Sequence, residues 1–238
     1  NFLLRQGEVE RAKELLARAE PDYVPKMHDR LNLAKGQAGK VAISQLFQDG
    51  RALKTLMLWV AFFCCLLMVY ALSSWLPKLM NAAGYGLNSS LAFLLVLNFG
   101  AIFGAIGGGW LGDRIGLGRV LLAFFATGAL SLSLLALKSP LPVLYLLIGV
   151  AGACTIGTQI LANACAVQFY PAHIRSTGLG WAMGIGRIGA IIGPLLGGAL
   201  HAAQLPLQAS FLAFALPGLV GAAAIMGFLW HRPGQVCT

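Results

Sequence analysis

Long apolar stretches, separated by short polar or glycine-containing turns, fill the chain from about residue 52 onward. A helix needs about 20 mainly apolar residues to cross a hydrocarbon core about 30 Å thick, because each residue adds only about 1.5 Å. Six stretches are that long or nearly so, and the third is the shortest. The pattern predicts an all-α integral membrane domain over residues 52–232, with spans at about 54–77, 89–111, 119–137, 141–168, 176–200 and 208–230.

The first 51 residues differ from the rest because they hold most of the charged side chains. Apolar residues at helical spacing between Glu8 and Glu20 predict an amphipathic helix that Pro21 ends. A solvated linker with little helix is the alternative. Since the chain opens at Asn1 inside this polar segment and shows no signal peptide, we expect it to be the C-terminal part of a longer protein. Residues 233–238 are expected to form a short tail.

The positive charges follow the membrane topology. Of the 17 Lys and Arg residues, all except Lys78, Lys138 and Arg187 fall on one side of the six spans. This asymmetry predicts that both ends of the chain lie in the cytoplasm, and it accounts for the net charge of +9 without a nucleic-acid partner. The apolar fraction of 58% excludes an ordinary soluble domain and makes the lipid bilayer the partner. The five cysteines lack metal-ligand spacing and are interpreted as small apolar residues.

Arg187 is the only charge in the fifth span. Ser176 and Thr177 are good helix-capping residue types, and they are expected to end the preceding loop. Arg187 then lies eleven residues further on, roughly 16 Å into the membrane. A guanidinium at that depth costs several kcal/mol unless it faces water, a partner or a substrate. We therefore expect function to centre on Arg187.

Carboxylates are nearly absent from the membrane domain, where Asp113 is the only one past Lys54. The sequence therefore offers no carboxylate pair, no metal-binding cluster and no phosphate-binding loop, so we expect neither an enzyme nor a cofactor or metal site. An unpaired cation at mid-membrane requires an anion. That anion is either the carboxylate of a substrate or an acidic residue elsewhere in a longer protein.

Other polar side chains within the spans are candidates to surround a substrate beside Arg187. Aromatic rings can stack on a substrate ring, and amides can bind a ring hydroxyl. Hydrogen bonds between helices are the alternative for each of them. The candidates are Tyr70, Ser74, Asn98, Thr155, Gln159 and Asn163. Trp75, near a span end, is interpreted as an anchor at the membrane interface.

Two spans carry rows of glycine, which let helix backbones approach closely and also permit sliding contacts. Pro194 in the fifth span favours a bend there. The rows are Gly100, Gly104, Gly108 and Gly112 in the second span, and Gly180, Gly184, Gly189, Gly193 and Gly197 in the fifth.

The turn after the second span resembles the loop signature of the major facilitator superfamily. The matching residues are Gly109, Leu111, Asp113, Arg114 and Gly116, with Arg119 as the one basic residue that follows. Residues 171–178, which include Arg175, are similar to a second turn of the superfamily. The resemblance implies that Gly109, Asp113, Arg114, Gly116, Arg119 and Arg175 belong to a conformational latch, in which the aspartate binds a neighbouring helix start. A solvated turn is the alternative.

A narrower resemblance, to the aromatic acid:proton symporters, rests on residues 70–77 and 184–189. It implies that residues 1–51 are a central cytoplasmic loop and that the six spans are one half of a twelve-helix bundle. It also implies proton-coupled uptake of acids such as benzoate or 4-hydroxybenzoate across a bacterial inner membrane, with Arg187 involved in transport and a missing N-terminal half supplying the coupling residues. Transport of another organic anion or a sugar-like solute, export, and a non-transporting sensor stay open.

Overall fold

The computed structural model describes residues 43–137 and 139–230, without the side chains of residues 87–90. A one-turn 3-10 helix at Ile43–Leu46 precedes six α-helices: α1 Ala52–Ala82, α2 Leu87–Ile115, α3 Leu117–Leu135, α4 Leu141–Phe169, α5 Arg175–Ala202 and α6 Leu207–Trp230. All six are long and apolar enough to cross a membrane. The described part of the chain therefore confirms the all-α prediction with six spans. The predicted amphipathic helix and the tail lie outside it.

The helix boundaries differ from the predicted spans by up to five residues, and two of the differences bear on the site. Helix α1 continues to Ala82 although its span was expected to close at Pro77, because a proline removes one helical hydrogen bond without ending a well-packed helix. Helix α5 begins at Arg175, and no side chain among the described residues caps it. The capping role predicted for Ser176 and Thr177 is therefore wrong. The Gly178 N–H already donates to the Ile174 carbonyl at 2.8 Å, so the helix starts before those hydroxyls.

Helices α1 and α4 have equivalent packing partners. Helix α1 makes its most extensive contacts with α5 and α6, and α4 makes its most extensive contacts with α2 and α3. Since successive helices cross in opposite directions, α1–α3 and α4–α6 have the packing pattern expected of inverted repeats, which are typical of secondary transporters. We call the end of the bundle that carries the α2–α3 turn the Asp113 end, and the opposite end, where α1 finishes, the Lys78 end.

Glycines join the repeats in equivalent ways. A β-carbon at Gly100 or Gly104 of α2 would overlap backbone of α4, and one at Gly189 or Gly193 of α5 would overlap backbone of α1. Helix α2 therefore touches the main chain of α4 directly, and α5 touches that of α1. By contrast, no atom of the described residues lies within 4 Å of a β-carbon at Gly180. The fifth-span glycine row thus packs closely only over its second half.

Candidate functional site

The candidate site lies on the exposed face shared by α1 and α5. Arg187 stands near the middle of α5, and its Nη1 donates to the Tyr70 hydroxyl oxygen of α1 at 3.2 Å. Both side chains are exposed in this half-bundle. A guanidinium has only donors, so Tyr70 must accept this bond and its own O–H is left to donate elsewhere. The pair therefore presents hydrogen-bond donors and one positive charge, which suits an anion.

Glycine packing sets the position of this pair. Gly186, one residue before Arg187, is buried, and a β-carbon there would lie 3.3 Å from the Phe62 carbonyl oxygen. Gly189, two residues after it, meets the Phe63 backbone. Because α5 lies so close to α1, a side chain on α5 reaches Tyr70 across the helix pair. Among the described residues, the only carboxylates are Asp49, whose partner is Arg51, and Asp113 at a helix end.

Two other predicted residues, Ser74 and Asn98, are exposed on α1 and α2. Ser74 is exposed one turn beyond Tyr70 on the same face of α1. Asn98 is exposed on α2, and its Nδ2 donates to the Leu94 carbonyl at 2.7 Å. Since that amide hydrogen is occupied, the side-chain oxygen of Asn98 is left to accept a hydrogen bond.

The remaining polar stripe, on α4, lies apart from Arg187. Thr155 is 3% exposed, so its side chain faces the interior of the bundle, and its hydroxyl donates to the Ala151 carbonyl of its own helix at 2.7 Å. The Cys65 thiol contacts the Thr155 carbonyl at 3.7 Å and fixes the level of α4 against α1. From that level, Asn163 lies toward the Asp113 end and Tyr70 toward the other, about 20 Å apart along the helices. Asn163 is thus separated from Tyr70 along the bundle, and among the described residues no hydrogen bond joins Thr155, the half-buried Gln159 or Asn163 to Arg187, so their part in a substrate site stays a prediction.

Trp75 packs between α1 and α5, and its role as an anchor at the membrane interface stays a prediction. Its Nε1 donates to the Pro194 carbonyl of α5 at 2.9 Å, and its ring fills the space beside Gly197. The imidazole of His201 lies 5.5 Å from the indole, measured between ring centroids. Lys78 Nζ lies 4.5 Å from the same indole centroid, a cation–π distance. Sequence reasoning missed this contact of Trp75 with His201 and Lys78. The sequence does contain a related signal, because Tyr70, Ser74 and Lys78 recur at the four-residue spacing of one face of α1.

The turn between α2 and α3 is built on Gly116, whose φ of 95° favours glycine. Its N–H donates to the Gly112 carbonyl at 3.0 Å, and this bond closes α2. Asp113 is exposed, and no described basic group lies within ion-pair distance of it. The Arg114 guanidinium lies over the Trp110 ring at 4.0 Å. Gly109 lies within α2 and the exposed Arg119 in the first turn of α3, so the predicted loop is mostly helical; the latch remains a prediction.

At the same end, the turn before α5 is organised by Tyr170. This tyrosine is fully buried, and burial raises the pKa of its phenol. Its ring explains the glycine of the second turn motif, because a β-carbon at Gly178 would lie 2.6 Å from the ring. Arg175 is exposed, and its Nε donates to the Tyr170 carbonyl at 3.3 Å, so the predicted latch arginine braces the turn.

Comparison with known proteins identifies the class. The chain matches the family model of the Major Facilitator Superfamily over residues 96–236. It is 41% identical over 227 residues to a benzoate transport protein of Acinetobacter baylyi, covering 94% of this chain and 49% of that protein. It is also 41% identical over 166 residues to a gentisate transporter of Corynebacterium glutamicum, covering 70% of this chain and 37% of that transporter. A 4-hydroxybenzoate transporter of Pseudomonas putida is 34% identical over 167 residues, with the same two coverages of 70% and 37%.

The chain therefore belongs to the Major Facilitator Superfamily, as the turn motif indicated. It spans about half the length, or less, of the curated relatives that it matches, and it corresponds to their C-terminal half. Family membership and six membrane-length helices together identify a multi-pass membrane protein. The matched relatives are transporters, which supports, at the level of the family, the expectation that this chain is not an enzyme.

Proposed function

We propose that this chain is the C-terminal half of a secondary transporter that takes up small aromatic carboxylates, such as benzoate or 4-hydroxybenzoate, by alternating access. The N-terminal six-helix half of the same protein would complete the substrate site. The proposal includes proton coupling, a bacterial cytoplasmic membrane, and cytoplasmic positions for both ends of this chain. The names of the relatives support the substrate class, and the asymmetry of the basic residues supports the orientation.

The observation that carries the proposal is the pairing of Arg187 with Tyr70 at mid-span. The guanidinium donates to the hydroxyl at 3.2 Å, and no described carboxylate is near enough to neutralise it. A carboxylate that approaches this face meets the remaining guanidinium N–H groups and the Tyr70 O–H together. Such charge-assisted bonds are about twice as strong as neutral ones, and bidentate geometry adds orientation.

The protons have to be carried by other groups, because Asp113 and Asp49 lie at helix ends and no described carboxylate occupies the membrane interior. We therefore assign the coupling groups to the N-terminal half. Alternating access fits the inverted three-helix repeats, since transporters with such repeats place their substrate near the middle of the membrane.

The test is uptake of labelled benzoate and 4-hydroxybenzoate into vesicles, driven by an imposed proton gradient. It uses the full-length transporter, its Arg187→Gln variant and an Arg187→Lys variant. We expect the Gln variant to lose about 10- to 100-fold in kcat/KM, because a hydrogen bond to a charged group contributes about 1.5–3 kcal/mol. The Lys variant should recover part of that loss, since it restores the charge without the bidentate geometry.

Each outcome has a defined meaning. Uptake by the parent that a protonophore abolishes supports the substrate class and the coupling. Uptake retained in Arg187→Gln contradicts the binding role of Arg187 and leaves a transporter of another design. Absence of uptake of either acid by a correctly folded parent refutes the proposed substrate class.

A further inference from the structure

The cluster at the Lys78 end of α1 holds a cation in a fixed place. Trp75 is immobilised by its hydrogen bond to the Pro194 carbonyl and by its fit against Gly197. Lys78 Nζ lies 4.5 Å from the centroid of that indole. A cation–π contact at this distance contributes about 0.5–1 kcal/mol at an exposed site, enough to favour one orientation of a flexible side chain. The ammonium is thus held over Trp75, near the exposed face of α1.

That face leads to the candidate site. Tyr70, Ser74 and Lys78 are each exposed and follow one another at four-residue intervals, so they lie on one side of α1. The helix rises about 12 Å between the first and the last of them. The intervening Ala71, Leu72 and Leu76 are buried against neighbouring helices. The exposed side of α1 therefore carries a polar stripe from Arg187 and Tyr70 to the Lys78 end of the bundle.

The charge along this stripe has one sign. The stripe begins at Arg187 near the middle of the bundle and finishes at Lys78. Ser74, which lies between these two cations, contributes a neutral hydroxyl. Both described carboxylates, Asp49 and Asp113, lie at the other end of the bundle. An anion entering from the Lys78 end meets an ammonium first and a guanidinium second. A lysine ammonium is a compact, strongly hydrated charge, which suits brief capture, whereas the planar guanidinium suits oriented binding.

We propose that Lys78 forms an outer binding station for aromatic carboxylates, which captures the anion before it reaches Arg187. This inference rests on the proposed function and adds a second, weaker site to it. Trp75 orients the ammonium and Ser74 offers a hydrogen bond on the way inward. Electrostatic capture at the rim of a binding site acts mainly on the association rate and its salt dependence.

The experiment measures uptake kinetics of benzoate by the full-length transporter at low and high ionic strength. It compares the parent with Lys78→Gln and Lys78→Arg. Lys138→Gln is the matched control, because Lys138 precedes α4 and is the other lysine that the sequence assigns to this end of the bundle. We expect Lys78→Gln to raise KM about three- to fivefold with kcat nearly unchanged, the size of effect expected for one exposed charge pair. Its salt dependence should weaken, and Lys78→Arg should behave like the parent.

The result separates this inference from the proposed function. If the parent takes up neither benzoate nor 4-hydroxybenzoate, the proposed function fails. If the parent transports and Lys78→Gln matches Lys138→Gln in KM and in salt dependence, the outer station is refuted. A change in lipid dependence or thermal stability without a change in KM would also overturn it, because that result assigns Lys78 to lipid headgroups. A variant that folds poorly is tested by equilibrium benzoate binding in detergent, where Lys78→Arg must bind at least three times more tightly than Lys78→Gln.

Discussion

Replacing Gly189 by alanine tests how the helix pair α1–α5 builds the site. A β-carbon at this position would overlap the Phe63 carbonyl oxygen and lie 3.2 Å from the Leu67 nitrogen, both of which are backbone atoms of α1. Backbone cannot turn aside as a side chain does. To regain ordinary contact distance, α5 must move away from α1 by about 1 Å. Arg187 lies only two residues away and moves with the helix.

The size of the effect follows from the hydrogen bond between Arg187 and Tyr70. Its length is 3.2 Å, so an added shift of about 1 Å takes the two atoms beyond hydrogen-bonding range. Loss of a bond to a charged group costs about 1.5–3 kcal/mol, and the exposure of this pair places it near the lower figure. We therefore expect kcat/KM for benzoate to fall about tenfold, with a lower melting temperature.

Gly184→Ala is the matched control, because in the described part of the chain no atom lies within 4 Å of a β-carbon at that position of the same helix. It carries the same gain in helix propensity, about 1 kcal/mol per residue, without the steric overlap. Uptake kinetics and thermal unfolding in detergent are measured for both variants and the parent. If Gly189→Ala and Gly184→Ala have the same kcat/KM, the backbone contact does not position Arg187 and the reasoning is wrong.

Two further substitutions test the predicted latch at Asp113 and the side-chain oxygen of Asn98 as a hydrogen-bond acceptor for the substrate. Asp113→Asn should lower kcat several-fold with little change in KM, because a latch controls the populations of conformational states; a change confined to KM in the uptake assay would contradict the latch. Asn98→Leu should reduce uptake of 4-hydroxybenzoate about three- to tenfold relative to benzoate, since the free amide oxygen is suited to accept from a ring hydroxyl. Equal losses for the two acids in a competition assay would rule out that contact.

Hydropathy was sufficient to predict the number of helices, because membrane thickness sets a length that each apolar stretch must meet. The sequence also located Arg187, since a lone charge in an apolar helix stands out without structural information. Its partner was harder to specify. Tyr70 lies 117 residues earlier in the chain, and only the register of α5 against α1 makes it, rather than another polar candidate, the residue that Arg187 reaches.

Residue type alone predicts neither the start of α5 nor the packing partner of Trp75. Ser176 and Thr177 have the chemistry of helix caps, yet α5 begins one residue earlier because the turn is fixed by Tyr170 and Gly178. The place of Trp75 near a span end predicts an interfacial residue, but it does not predict that the indole bonds to Pro194 of another helix. Both cases depend on contacts between distant segments, which local patterns do not contain.

Contact between helix backbones has a consequence for how the sequence can vary. Where Gly189 and Gly193 meet α1, that helix contributes backbone atoms, which do not depend on the type of side chain. The identity of Phe63 therefore matters little to that contact, whereas the absence of a side chain on the glycine is indispensable. In a soluble core, large apolar residues are the least tolerant of substitution. A mutational scan of the contact between α1 and α5 should show the opposite pattern. Here substitutions at the smallest residues should be the damaging ones.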